Sequence, residues 1–229
     1  MTAKASWPRF TPVAGHALLV EFGPRVTDRT RTAVRHLDSA LALATPPGFA
    51  EAVPAGTSLL VAFDLLITDA RTMEAALRAA LLAPPQPFAP PRRHCISICH
   101  DADLAPDLDA VAAACGMTRD AVIAAHLAAT FTVTMYGFAP GYAYLSGLPP
   151  ALHLPRKSVA MRGVPAGSVI IAGDQCLVTT LTMPTGWWII GASPTRILTG
   201  DPARPFRLDP GDSVTFRAVP RDALTLGEG

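Results

Sequence analysis

Arg156 is the first charged side chain after a stretch of thirty-five residues, 121–155, that contains no Asp, Glu, Lys or Arg. A guanidinium emerging from so long a neutral segment can hold a carboxylate or phosphate in a two-pronged fork; the competing reading is a solvated surface arginine. In the same stretch His126 sits within an apolar helical segment, where an imidazole is either a hydrogen-bonded core side chain or a proton shuttle. Further on, Val164-Pro165-Ala166-Gly167 fits a type I turn that would aim the amides of Gly167 and Ser168 outward. Consecutive amides of that kind can bind an anion or an oxyanion, although ordinary barrel turns use the same residues. Ala139-Pro140-Gly141-Tyr142 and Asp209-Pro210-Gly211-Asp212 fit type II turns, with glycine supplying the positive φ.

Other chemistries find no pattern. The chain has no GxxxxGK[ST] loop, no GxSxG elbow and no HExxH helix. Ser168 has no histidine and carboxylate tied to it by spacing, which leaves a nucleophile reading without its base. His94, Cys95, Cys99 and His100 suggest zinc by composition. In a strand, however, the two cysteines face one side and the two histidines the other, so the four cannot converge tetrahedrally and the thiols read as free and buried.

The neutral stretch itself must be positioned by something other than a membrane. Only residues 121–136 are apolar enough for a span, and Gly137, Pro140 and Gly141 would leave backbone groups that lipid cannot satisfy. Phe131, Val133 and Met135 alternate with Thr132, Thr134 and Tyr136, so the segment reads as helix to about Thr130 and then strand. Upstream, residues 16–22 and 57–63 read as strands, Asp28 and Asp69 as helix caps, and 49–53 as a weaker strand: a small open sheet with helices on one face. Residues 84–93, PPQPFAPPRR, form a stiff linker that sets domain boundaries at 1–90 and 91–229. Beyond it come a strand over 94–100, helices over 107–115 and 118–130, and then strands over 168–172, 177–183, 187–190, 196–198 and 213–218, the pattern of a closed barrel or sandwich.

Composition narrows the partners. Nineteen basic and eighteen acidic residues leave a net charge of +1, with no field to draw in nucleic acid or an anionic membrane. Charged residues make up 16% of the chain, which suits either a surface partly covered by another protein or a plain alanine-rich bias. No apolar signal region opens the sequence, so the expected location is the cytoplasm.

The ordered set GFAPGYAYLSGLPPALHLPR, VPAGSVIIAGDQ and LDPGDSVTF resembles the B-type family of 5-oxoprolinase subunits, also called the allophanate hydrolase subunit 1 or Kip inhibitor family. The resemblance runs from Gly15-His16-Ala17 to Phe216. It implies a small N-terminal α+β domain followed by a mainly β, cyclophilin-like barrel. It also implies a part in the ATP-dependent cleavage of 5-oxoproline to glutamate, beside a homologous cyclophilin-like barrel subunit of the C type and a third hydrolase subunit. ATP is then a co-substrate of the complex, the substrate a small lactam or urea-type molecule, and no metal or tightly bound cofactor is expected. Two alternatives follow from the same resemblance: a non-catalytic inhibitory protein docking on a kinase or other enzyme, and the carboxyltransferase half of a biotin-dependent, urea carboxylase-like enzyme. By motif position His126, Arg156 and Gln175 take the catalytic roles, and Gly137, Phe138, Pro140, Gly141, Tyr144, Gly167 and Ser168 bind substrate; Pro165 also matches. Three positions depart from the family pattern: Met161 stands before VPAGS, Leu177 replaces a glycine that would permit close ligand approach, and Thr185 replaces a glycine suited to a positive φ.

Overall fold

The computed structural model describes residues 6–84 and 90–224 and divides the chain into two compact units, Met1–Ala89 and Pro90–Gly229. Half of the proline-rich linker, residues 85–89, and the first and last five residues lie outside the described residues.

In the first unit, β1 (Arg9–Val13), β2 (Ala17–Glu21), α1 (Asp28–Leu43), β3 (Phe49–Pro54), β4 (Ser58–Phe63) and α2 (Ala70–Leu81) follow in order. The strands form an antiparallel sheet, β1-β2-β4-β3. Alternation decides its buried face: Leu18 and Val20 of β2 lie beside Leu59 and Val61 of β4 and pack against Val34, Leu37 and Leu41 of α1 and Met73 and Leu77 of α2. Asp69 caps α2 by accepting the Thr72 amide. α1 starts differently from expectation: Thr27, not Asp28, is the cap, in a reciprocal box with Thr30. β1 carries no strand signal in the sequence because Pro12 interrupts its pattern, and an edge strand tolerates proline.

The second unit contains β5 (Arg93–Ile98), α3 (Leu108–Cys115), α4 (Arg119–Ala128), β6 (Phe131–Gly137), β7 (Ala139–Ser146), β8 (Met161–Val164), β9 (Ser168–Ala172), β10 (Gln175–Val178), β11 (Met183–Thr185), β12 (Trp188–Ala192) and β13 (Ser213–Ala218). Gly116, at φ 64°, ends α3 in the left-handed conformation, and Thr118 caps α4. Seven strands make one mixed sheet, β12-β9-β10-β7-β6-β13-β5, in which β13 and β5 pair in parallel. Its edges meet where the Cys99 and Ala192 backbones exchange hydrogen bonds of 2.8 and 3.0 Å, so the sheet is a nearly closed barrel.

Strand β9 is buried throughout because both of its faces are covered. Val169 and Ile171 enter a large core with Ile96, Phe131, Leu145, Phe216 and the helix residues Leu108, Val111 and Val122. Ile170 and Ala172 face the other way, with Tyr142, Leu177, Trp187 and Ile189, under the small β8–β11 sheet through Val164 and Met183. Among the described residues no helix is long and apolar enough to cross a membrane.

Barrel closure depends on Gly191. A Cβ there would stand 2.7 Å from both the Cys99 carbonyl oxygen and Ile98 Cγ1. Gly191→Ala is therefore expected to cost about 1–3 kcal/mol, read by urea unfolding, because the seam must spread to admit the methyl group.

Candidate functional site

Beside the smaller core lies a cavity of about 110 Å³, lined by Phe138, Tyr142, Tyr144, Arg156, Ile170, Leu177, Pro184, Thr185, Gly186 and Trp187. β7 supplies its aromatic wall in an unexpected way. The segment 139–142 is not the hairpin turn: the chain reverses at Phe138, which carries a φ of 71°, with Gly137 opposite Ala139. Pro140, Gly141 and Tyr142 then form a bulge before pairing resumes at Ala143. Tyr142 and Tyr144, two residues apart, share the cavity face. The Phe138 and Tyr142 rings meet edge-on with centroids 5.5 Å apart, and Tyr144 lies 5.9 Å from Trp187. Burial, reinforced by the neighbouring Tyr144, pushes the Tyr142 phenol up to about 12, so it stays neutral and can donate a hydrogen bond.

The single cation lining this neutral wall is Arg156, whose guanidinium sits 5.7 Å from the Trp187 ring centre and has no ion pair among the described residues. Trp187 is itself held by its amide, which donates to Thr185 Oγ1 at 3.1 Å. The departure at Thr185 therefore brings no strain: the residue is extended in β11 opposite Met161, and its hydroxyl steadies the tryptophan. Leu177 fills the cavity floor with its side chain, and Met161 lies on the exposed face of β8.

The expected site residues do not all converge. Phe138, Tyr144 and Arg156 line the cavity, and Gly137 adjoins Tyr144. Pro140 instead takes the Thr180 hydroxyl on its carbonyl, and Gly141 lies against Leu198. Gln175 pairs with Ser146 and Ala172 and does not line the cavity. Tyr142 and Trp187 belong to the site but were missed as site residues; the spacing of Tyr142 from Tyr144 was the available signal.

Two expectations are corrected by hydrogen bonding. The turn before β9 is one residue later than predicted, spanning 165–168 with Gly167 at φ 86°. The Gly167 amide donates to Thr179 O at 2.7 Å, and the Ser168 amide donates to Thr179 Oγ1 at 2.9 Å, so both point inward. Ser168 is buried and its hydroxyl donates to Pro165 O, which removes it as an anion or nucleophile group. Any side chain at 167 would also strike Ser193 O, 2.6 Å from the Cβ position. Gly167 borders a different, open cavity of about 490 Å³ formed with Thr179, Thr180 and residues 193–200.

His126 lies fully buried in the barrel core, between Phe131 and Phe216 at centroid distances of 5.3 and 4.6 Å. Its Nε2 is 3.5 Å from Cys176 Sγ, and its Nδ1 has no partner among the described residues. Burial, with His100 nearby, drops its pKa to about 3, so the ring stays neutral and away from the cavity that holds Arg156. Unfolding returns it to about 6.5, where the unfolded chain takes up a proton that the folded one refuses. Stability is thus full above pH 6.5 and is lost as pH falls toward 3. His126 alone should remove about 2 kcal/mol between pH 7 and pH 5. Urea unfolding of His126→Phe at those two pH values is expected to show that much less pH dependence; the residual slope belongs to groups such as His100, which burial lowers in the same direction.

The family described as carboxyltransferase domain, subdomain C and D, matches residues 8–208. The B-type 5-oxoprolinase subunit of Bacillus subtilis (strain 168) is 31% identical over 212 residues, covering 87% of this chain and 88% of that protein. The crystal structure of TTHA0988 superimposes with a TM-score of 0.77 at 33% identity over 89% of this chain, which spans only 40% of TTHA0988. The Kluyveromyces lactis urea carboxylase shares the fold, with a TM-score of 0.77 at 17% identity over 98% of this chain and 23% of that one. By the extent of these matches, the chain belongs to the carboxyltransferase subdomain C and D family, the family of the B-type 5-oxoprolinase subunits.

Proposed function

We propose that this protein is a subunit of a cytoplasmic, ATP-dependent amide hydrolase that opens 5-oxoproline to glutamate, its second unit serving as a cyclophilin-like barrel domain. The carrying observation is Arg156, a cation without a carboxylate partner among the described residues, in a small aromatic cavity that is otherwise neutral. 5-Oxoproline is a compact ring with one carboxylate. A guanidinium fork suits the carboxylate, tyrosine and tryptophan faces suit the ring, and the neutral Tyr142 hydroxyl can donate to the lactam oxygen.

This chain's part is to bind and orient. Its turn amides at Gly167 and Ser168 are already engaged, so they offer no cradle for a triphosphate. ATP enters as co-substrate of the assembled complex, with a homologous barrel subunit and a third hydrolase subunit as partners. Exposed apolar side chains support assembly near the cavity: Phe138, on its lining, is 75% exposed, and Met161 stands opposite the cavity residue Thr185. The same surface favours a second reading, a non-catalytic protein that docks on a kinase or other enzyme. Coexpression with the partner subunits and an assay of glutamate released from 5-oxoproline separates the two. Release dependent on this chain supports the hydrolase; a stable complex with no lactam turnover supports the binding protein and sinks the hydrolase.

A further inference from the structure

The backbone on both sides of Arg156 is fixed by hydrogen bonds to the chain around Trp187. Before it, the Pro155 carbonyl accepts the Trp188 indole N–H at 2.8 Å. After it, the Lys157 amide donates to Gly186 O at 2.7 Å, and Lys157 Nζ reaches Asp107 Oδ2 at 2.6 Å, with each side chain 13% exposed. Asp107 is bound in turn to β12: its amide donates to Ile189 O, and its carboxylate accepts the Ile189 amide at 2.8 Å. Asp107 stands at the N-cap of α3 yet makes no side-chain cap bond. An aspartate there ordinarily turns back onto its own helix. Here the carboxylate is directed to Lys157 and the barrel strand instead. The consecutive tryptophans complete the arrangement: Trp187 faces the Arg156 guanidinium, and Trp188 holds the preceding carbonyl and lies 5.9 Å from Lys157 Nζ.

We infer that Asp107 and Lys157 are positioning residues for the anion site: their mostly buried ion pair ties the Arg156 backbone to β12, so the guanidinium is held over Trp187 before substrate arrives. The inference rests on the reading of Arg156 as the carboxylate receptor. A fork gains its advantage only if it is held still, because binding otherwise carries the cost of ordering a long side chain and its loop. An ion pair this well enclosed also loses badly if one partner is removed.

The test is isothermal titration of the full chain with 5-oxoproline and with 2-pyrrolidone, the same ring without its carboxylate. Asp107→Asn keeps an acceptor for the Ile189 amide while removing the charge, and Lys157→Met keeps the stem while removing the ammonium. Each is expected to weaken 5-oxoproline binding about tenfold and to leave 2-pyrrolidone within about twofold. In an Arg156→Gln background neither should add a further loss, since the pair acts through that arginine. Equal weakening of both ligands, additive losses in the Arg156→Gln background, or unchanged 5-oxoproline affinity in either variant that still unfolds cooperatively overturns the positioning role alone. Unchanged 5-oxoproline binding in Arg156→Gln itself, or none by the unaltered chain, overturns the reading of the cavity, and the inference falls with it.

Discussion

For the hydrolase proposed above, Arg156→Ala, coexpressed with 5-oxoprolinase-type partner subunits, is expected to lose about a hundredfold in kcat/KM for 5-oxoproline, mostly as a rise in KM. A hydrogen bond to a charged group is worth about 1.5–3 kcal/mol, and a two-pronged guanidinium–carboxylate fork stands at the upper end of that range. The loss falls on KM because the carboxylate keeps its charge through the reaction, so ground state and transition state lose the same contact. The fold should be indifferent: the guanidinium contributes no ion pair among the described residues, and its ring contact with Trp187 is partly exposed. Arg156→Lys should recover only part of the affinity, since a point charge cannot reproduce the planar fork. Steady-state kinetics of the complex checks both, and wild-type values for Arg156→Ala would end the assignment.

The second large effect is structural. Asp212→Ala is expected to destabilise the barrel unit by about 3–5 kcal/mol and to lower its melting temperature by on the order of 10 °C. Asp212 is 4% exposed and serves as a knot for the strand ends. One oxygen accepts the Arg92 amide at 2.9 Å; the other accepts the Asp209 amide at 3.0 Å and the His94 Nε2 proton at 2.8 Å. Arg92 also pairs with Asp209, whose other oxygen accepts the Tyr136 hydroxyl. Removing the carboxylate leaves the Arg92 and Asp209 amides and His94 Nε2 without that acceptor at the start of both β5 and β13. Thermal unfolding followed by circular dichroism reads the change, and a loss below about 1 kcal/mol would place the knot elsewhere.

The barrel strands are legible in the amino-acid sequence where periodicity and punctuation agree. The alternation after Phe131, the cap at Asp69 and the glycine stop at Gly116 are local signals, and each falls where the chain uses it. β7 was hidden because Pro140 and Gly141 look like a turn, and only cross-strand pairing makes a bulge of them. The inward amides of Gly167 and Ser168 depend on Thr179, a strand away, which no local rule could supply. The site divides along the same line. Arg156 was visible as the charge ending a neutral run, and Phe138 and Tyr144 through the family motif. Asp107 reads in the sequence as the first residue of a helix, and Trp187 as an ordinary strand residue, because their roles arise from contacts with residues distant in sequence. His126 matched the motif, yet the barrel encloses it.

The parallel pairing of β5 with β13 has a consequence for how the protein is made. These strands open and close the second unit, so contacts such as Arg217 Nε to Ser97 Oγ span 120 residues. On the ribosome β5 emerges long before its mate, and the barrel cannot acquire its edge strand until synthesis has passed Ala218. The first unit, built from the adjacent pairs β1–β2 and β3–β4, carries no such delay. High contact order therefore makes the barrel the slow folder of the two, and for much of translation β5 waits unpaired with Ile96 and Ile98 uncovered, the interval in which a nascent chain most needs a chaperone.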